Sequence, residues 1–127
     1  MGKEGNKKLD FMNIINSDDV NQLDEYVDKC GVNHKIKGAS LLYWTVHVNN
    51  LPFVTRLLEL GANPNLKDSI GRSPLEVGAY YGFYKVCKVL LEHGGKVDED
   101  SQRRALEGWD GNRQDLIIEL LQQWQNR

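Results

Sequence analysis

Apolar positions along this chain recur as short helical stripes closed off by glycine. Phe83, Val86, Cys87 and Leu90 stand at i, i+3, i+4 and i+7, the spacing of one helix face. Ile117, Leu120, Leu121 and Trp124 form a second such stripe, and PFVTRLLEL a third, with Pro52 in its first turn and Gly61 beyond its end. Ahead of the first stripe, Ser73-Pro74-Leu75-Glu76 reads as a capping box. Ser73 accepts from a free backbone N–H, Glu76 reaches back, and Pro74 occupies the first helical position. That helix is expected to run to about Tyr81, turn at Gly82, and lead into a second helix ended by Gly94-Gly95.

These helix pairs repeat. GASLLYWTVHVNNLPFVTRLLELGANPN, from Gly38, aligns without a gap on GRSPLEVGAYYGFYKVCKVLLEHGGKVD, from Gly71, at an offset of 33 residues. Gly38 falls on Gly71, Ser40 on Ser73, Leu42 on Leu75, Leu57-Leu58 on Leu90-Leu91, and Gly61 on Gly94. Upstream, Gly31-Val32-Asn33 answers Gly61-Ala62-Asn63. Downstream, Leu120-Leu121 answers Leu90-Leu91 at an offset of 30, and Leu75 matches either Ala105 or Leu106. The expected organisation is a disordered lead-in over residues 1–8 and one domain over 9–127. The domain divides into four copies: an N-capping one at about 9–37, then 38–70, 71–100, and a C-capping one at 101–127.

Two ten-residue helices cannot fold alone. A fully buried Leu or Val contributes roughly 1.5–3 kcal/mol, whereas ordering the backbone costs about 1–2 kcal/mol per residue. Only stacked copies bury both faces of the inner helices, which predicts an all-α solenoid with polar outer faces at its ends. Asn13, Asn16 and Asp19 at one end, and Arg113, Gln114, Glu119 and Gln122 at the other, fit that expectation.

Composition narrows the class. At 127 residues, 40% hydrophobic and 27% charged, the chain suits one globular domain. A net charge of −2 argues against nucleic acid as partner. No apolar run reaches membrane-span length and the N-terminus has no secretory signal, so a cytoplasmic protein is expected. Cys30 and Cys87 match no metal or redox spacing and are expected to be reduced, semi-buried filler, two layers apart and out of disulfide reach.

GRSPLEVGAYYGFYKVCKVLLEHGG, together with the connecting LLELGANPNLKDSIGRSPL, resembles the ankyrin repeat, from about Leu9 to Trp124. The resemblance implies helix–turn–helix layers joined by finger hairpins, and a protein-binding module that grips with its fingers and the exposed faces of its first helices. Departures are local. The family's histidine after Pro-Leu is Glu76 in one copy and Tyr43 in the other, and the last copy has no proline.

That frame places the aromatic cluster YYGFY. Tyr80 and Tyr81 end a first helix at groove-facing positions, Phe83 opens the apolar stripe, and Tyr84 packs at the surface. One offset back, His47 answers Tyr80, and Trp44 answers Val77; Trp109 lies in the last copy, in an unsettled register. The expected partner-binding surface is therefore Trp44, His47, Tyr80, Tyr81 and Trp109, flanked by finger residues Ile36, Lys37, Ser69, Ile70 and Arg72. Adjacent helical residues point about 100° apart, so Tyr80 and Tyr81 cannot both enter one core stripe. Replacing both by alanine is expected to spare stability. Finger charges run from Lys35 and Lys37, through Lys67, Asp68 and Arg72, to Asp98, Glu99 and Asp100, a gradient able to orient a partner.

No catalytic constellation, phosphate loop, metal set or cofactor motif appears, and His34, His47 and His93 are scattered. The expectation is a monomeric, non-enzymatic protein without cofactors that binds one or more proteins. The alternative is a dedicated inhibitor, such as an immunity protein that neutralises one toxin. Met1 and the closing Trp124-Gln125-Asn126-Arg127 are consistent with a complete chain and a single partner.

Overall fold

The computed structural model describes residues 10–126, so the expected lead-in over residues 1–8 lies outside the described residues. Four helix pairs follow one another: α1 (Phe11–Ser17) with α2 (Val20–Cys30), α3 (Leu41–His47) with α4 (Leu51–Glu59), α5 (Pro74–Tyr81) with α6 (Tyr84–Glu92), and α7 (Glu99–Glu107) with α8 (Asp115–Gln125). First helices α3, α5 and α7 pack in one row, and second helices α2, α4, α6 and α8 in another. Leu57, Leu58, Leu90, Leu91, Leu120 and Leu121 are buried between the layers. The architecture is an all-α solenoid.

Each first helix starts where a side chain satisfies a backbone donor. Ser40 Oγ accepts from Tyr43 N–H and Ser73 Oγ from Glu76 N–H, both at 3.1 Å. The second half of the expected capping box is absent, because Glu76 is buried and turned toward Arg104 instead. A full capping box stands at α7, where Asp98 and Ser101 exchange side-chain-to-backbone bonds. Phe83 is the half-buried N-cap of α6, while Val86, Cys87 and Leu90 of its stripe are buried. Burial pushes the Cys87 thiol well above its ordinary range. Cys30, expected to be semi-buried, is exposed.

The first finger is a short hairpin, β1 (Lys35–Ile36) paired antiparallel with β2 (Ala39–Ser40). Lys37 and Gly38 at its tip both have positive φ, 51° and 83°, the geometry that suits a two-residue hairpin. The second finger turns through Asp68-Ser69-Ile70-Gly71, with Asp68 N–H donating to Arg72 O at 2.8 Å. Side-chain amides tie successive layers together: Asn33 accepts from Asn63 N–H at 2.8 Å, and Asn65 accepts at 2.9 Å from Lys96 N–H, the donor one 33-residue offset on from Asn63.

The last copy departs from the expected register. Its Asp98 caps as Ser73 does, its Ala105 is buried as Ala79 is, and its Gly108 follows the helix with positive φ as Gly82 does. Ala79 and Gly82 therefore correspond to Ala105 and Gly108, and Leu75 matches neither Ala105 nor Leu106. The segment between α6 and α7 is too short for a finger, and Asp98, Glu99 and Asp100 belong to a helix start rather than a loop tip. The α7–α8 connection is correspondingly long, residues 108–114.

Candidate functional site

The exposed row of first helices and the second finger enclose a cleft of about 180 Å3. Helix α3 contributes Tyr43 and His47, helix α5 contributes Glu76, Val77, Tyr80 and Tyr81, helix α7 contributes Arg104, and the finger contributes Arg72. A continuous run of rings crosses this face. Trp44 lies 6.1 Å from His47, His47 lies 5.8 Å from Tyr81, and Tyr81 lies 5.0 Å from Tyr80 and stacks on Phe83 at 5.6 Å. Edge-on and stacked contacts at these separations are favourable ring geometries.

Of the residues singled out from the sequence, His47, Arg72, Tyr80 and Tyr81 meet at the cleft. Trp44 is half-buried at its edge, with Nε1–H donating to Ile36 O at 2.9 Å, so the indole is tied to the first finger. Lys37 is exposed at that finger's tip and Ile36 is half-buried beneath it. Ser69 and Ile70 form the second tip, where Ile70 is 71% exposed. Trp109, 57% exposed, sits apart from the cleft in the α7–α8 connection, whose backbone N–H there donates to Tyr80 O at 2.9 Å.

Tyr80 and Tyr81 are both half-buried, and Tyr81 packs against the core. The double alanine variant is therefore expected to lose stability as well as surface, contrary to the reading from sequence alone. The charge gradient also changes, because Asp68 and Arg72 pair within one finger at 2.9 Å.

Arg104 and the partners of Tyr43 and Glu76 escaped sequence reasoning. Arg104 Nε donates to Glu76 Oε2 at 3.0 Å, and its guanidinium lies over the Tyr80 ring, 5.3 Å from the centroid. Glu76 retains only 5% of its side-chain exposure. Asp68, at 6%, accepts from the backbone N–H groups of Ile70 and Arg72 and from Arg72 Nε. Burial alone would raise the Asp68 pKa, but these donors and the Tyr43 hydroxyl outweigh it and hold the carboxyl below its ordinary value. The available signal was the repeat itself: Tyr43 and Glu76 replace the family histidine at one repeat position, and each is buried facing a charged neighbour.

Burial, then the contact with Asp68 and its charge, push the Tyr43 hydroxyl up to about 12. A folded pKa raised above the unfolded value of about 10 adds stability that is complete below pH 10 and lost as pH rises through 12. Two pH units correspond to about 2.7 kcal/mol. Urea titrations from pH 9 to pH 12 are expected to show that loss in the native protein and a clearly smaller one in Tyr43→Phe. Equal slopes in the two proteins would show that Tyr43 does not carry it.

Among the described residues no group of three or more metal-ligating side chains lies together, and no helix is long and apolar enough to cross a membrane. The family description "Ankyrin repeats (3 copies)" matches residues 10–101. Similar curated proteins include Serine/threonine-protein kinase VIK of Arabidopsis thaliana, 33% identical over 99 residues, covering 74% of this chain and 22% of that protein. NF-kappa-B inhibitor delta of Mus musculus is 38% identical over 66 residues, 52% of this chain and 20% of that protein. Putative ankyrin repeat protein L371 of Acanthamoeba polyphaga mimivirus is 22% identical over 94 residues, 74% of this chain and 12% of that protein. The chain spans about a fifth or less of the length of these relatives. The helix pairs, the finger hairpin and the match over residues 10–101 together make this chain a member of the ankyrin-repeat family.

Proposed function

We propose that this chain binds a partner protein through the first-helix face and the two fingers, without catalysing a reaction. Ankyrin repeats are protein-interaction modules. The observation that carries the reading is the ring row Trp44–His47–Tyr81–Tyr80 along the first helices, together with the exposed residue Ile70 at the tip of the second finger: these side chains lie outside the sealed core. Trp, Tyr and Arg are the residue types that dominate binding energy at interfaces.

A photo-crosslinking amino acid placed at Ile70, His47 or Lys88 tests this directly. Lys88 is exposed on α6, away from the cleft. Crosslinks to one protein from positions 70 and 47, and none from 88, support the reading. The same protein captured from position 88 alone overturns it. Once the partner is in hand, Ile70→Asp is expected to weaken binding about 30-fold, the scale of an interface hot spot, with an unchanged melting temperature.

A second reading is that the bound partner is an enzyme or toxin held inactive. Its support is the similarity to a protein named as an inhibitor, NF-kappa-B inhibitor delta. Assaying the captured partner with and without a molar equivalent of this chain separates the two: undiminished activity leaves an adaptor.

A further inference from the structure

Arg72 and Arg104 line the same cleft, one from the second finger and one from the first helix of the next copy. Each is held by Nε against a nearly sealed carboxylate, Asp68 at 2.9 Å and Glu76 at 3.0 Å. Such single-point anchoring fixes a guanidinium while leaving its terminal nitrogens available. Among the described residues the terminal nitrogens of Arg72 make no hydrogen bond, and its side chain is 42% exposed. Arg104 hydrogen-bonds there only through Nε, with Glu107 3.5 Å from Nη1. Burial and the neighbouring charge of Arg104 both work against the charged form of Arg72, and its bonds to Asp68 outweigh them. The two cations thus face a shared space with donors to spare.

We propose that this space receives one carboxylate, an aspartate or glutamate side chain of the partner protein, seated between the guanidiniums of Arg72 and Arg104. Directed hydrogen bonds, and not net charge, have to hold the anion: Asp68 and Glu76 already balance the two arginines and Glu107 adds a further carboxylate, so a group bringing a single negative charge suits the free guanidinium donors better than a dianionic phosphate. Size agrees: about 180 Å3 holds a side chain, whereas pockets for small-molecule ligands run to about 300–1,000 Å3. The rings of Tyr80, Tyr81 and His47 supply apolar walls for the methylenes that carry the carboxylate. This inference rests on the protein-binding reading above, and it adds the chemistry that the partner must present.

The full chain, labelled with nitrogen-15, can be titrated with N-acetylaspartate N-methylamide while the arginine Nε–Hε resonances are followed. The expected result is saturable movement of the Arg72 and Arg104 signals, with those of Arg56 and Arg113 still. The asparagine analogue is expected to move neither, and inorganic phosphate to saturate at no lower concentration. Arg72→Lys keeps the charge beside Asp68 but loses the fork, and is expected to raise the half-saturation concentration about tenfold. Equal movement with the asparagine analogue, drift of all arginine signals together, or phosphate saturating tenfold lower would each overturn the proposal. No partner takes part in this titration. Its failure therefore leaves the crosslinking result standing, and absent crosslinks would not by themselves empty the cleft.

Discussion

Gly108→Ala is expected to lower stability by at least about 3 kcal/mol, a fall in melting temperature on the order of 10 °C for a domain of this size. Gly108 has φ 65° and ψ 145°, a region essentially reserved for glycine, where another residue costs about 1–3 kcal/mol. An added Cβ would also run into the carbonyl oxygen of Asn112, a backbone atom that cannot step aside without moving the α7–α8 connection. That connection leans on the site: Trp109 N–H holds Tyr80 O, and the Gln114 side chain covers Gly82. Gly111→Ala is the control, because it shares a positive φ of 81° but has open space around its Cα. It should lose about 1 kcal/mol. If thermal melts followed by circular dichroism gave equal losses for the two variants, the close approach at Gly108 would be wrong.

Arg104→Leu should be nearly as damaging, at about 3 kcal/mol, because it strands the carboxylate of Glu76 at 5% side-chain exposure. The open cleft beside it gives solvent a route to the carboxylate and keeps the loss toward the lower end of the range for broken buried pairs. Leucine at both positions removes the stranded charge, and the double variant should recover most of the loss. Denaturant titrations of the two single variants and the double one form a cycle, with an expected coupling of about 2 kcal/mol. Additive losses would mean that Glu76 and Arg104 do not depend on each other. The cycle also bears on function, since Arg104 braces Tyr80 from above.

Much of the fold was legible because it is written in short-range rules. Stripes at i, i+3, i+4 and i+7, serine caps three residues ahead of their donors, and glycines past helix ends all act within one or two turns. The 33-residue period then showed that such pairs stack, since a lone pair cannot bury its apolar face. Ser73 shows where this reasoning stops. The same four residues that signal a capping box place Glu76 beside Arg104, and an ion pair between buried Glu76 and half-buried Arg104 of α7 displaced the local bond back to the cap. In the last copy the offset of 30 between Leu90 and Leu120 reports only a net deletion of three residues. It hides a lost finger offset by a lengthened turn, and so it misplaced Leu75 and left the register of Trp109 open.

For the candidate site, helix phase and the repeat period brought His47, Tyr80 and Tyr81 into one row, of which His47 is exposed and the two tyrosines are half-buried. The sequence did not locate the cleft between them. Arg104 reaches Glu76 across 28 residues of chain, and Tyr43 meets Asp68 across 25. Neither spacing matches the repeat period, so no pattern along the chain announces the pairs. By itself the sequence determined the kind of layer, the number of layers and the outward faces, all consequences of local periodicity. Which buried acids hold which arginines, and how much of Tyr80 and Tyr81 remains uncovered, was decided only when the layers packed, because those contacts depend on distances between helices rather than along them.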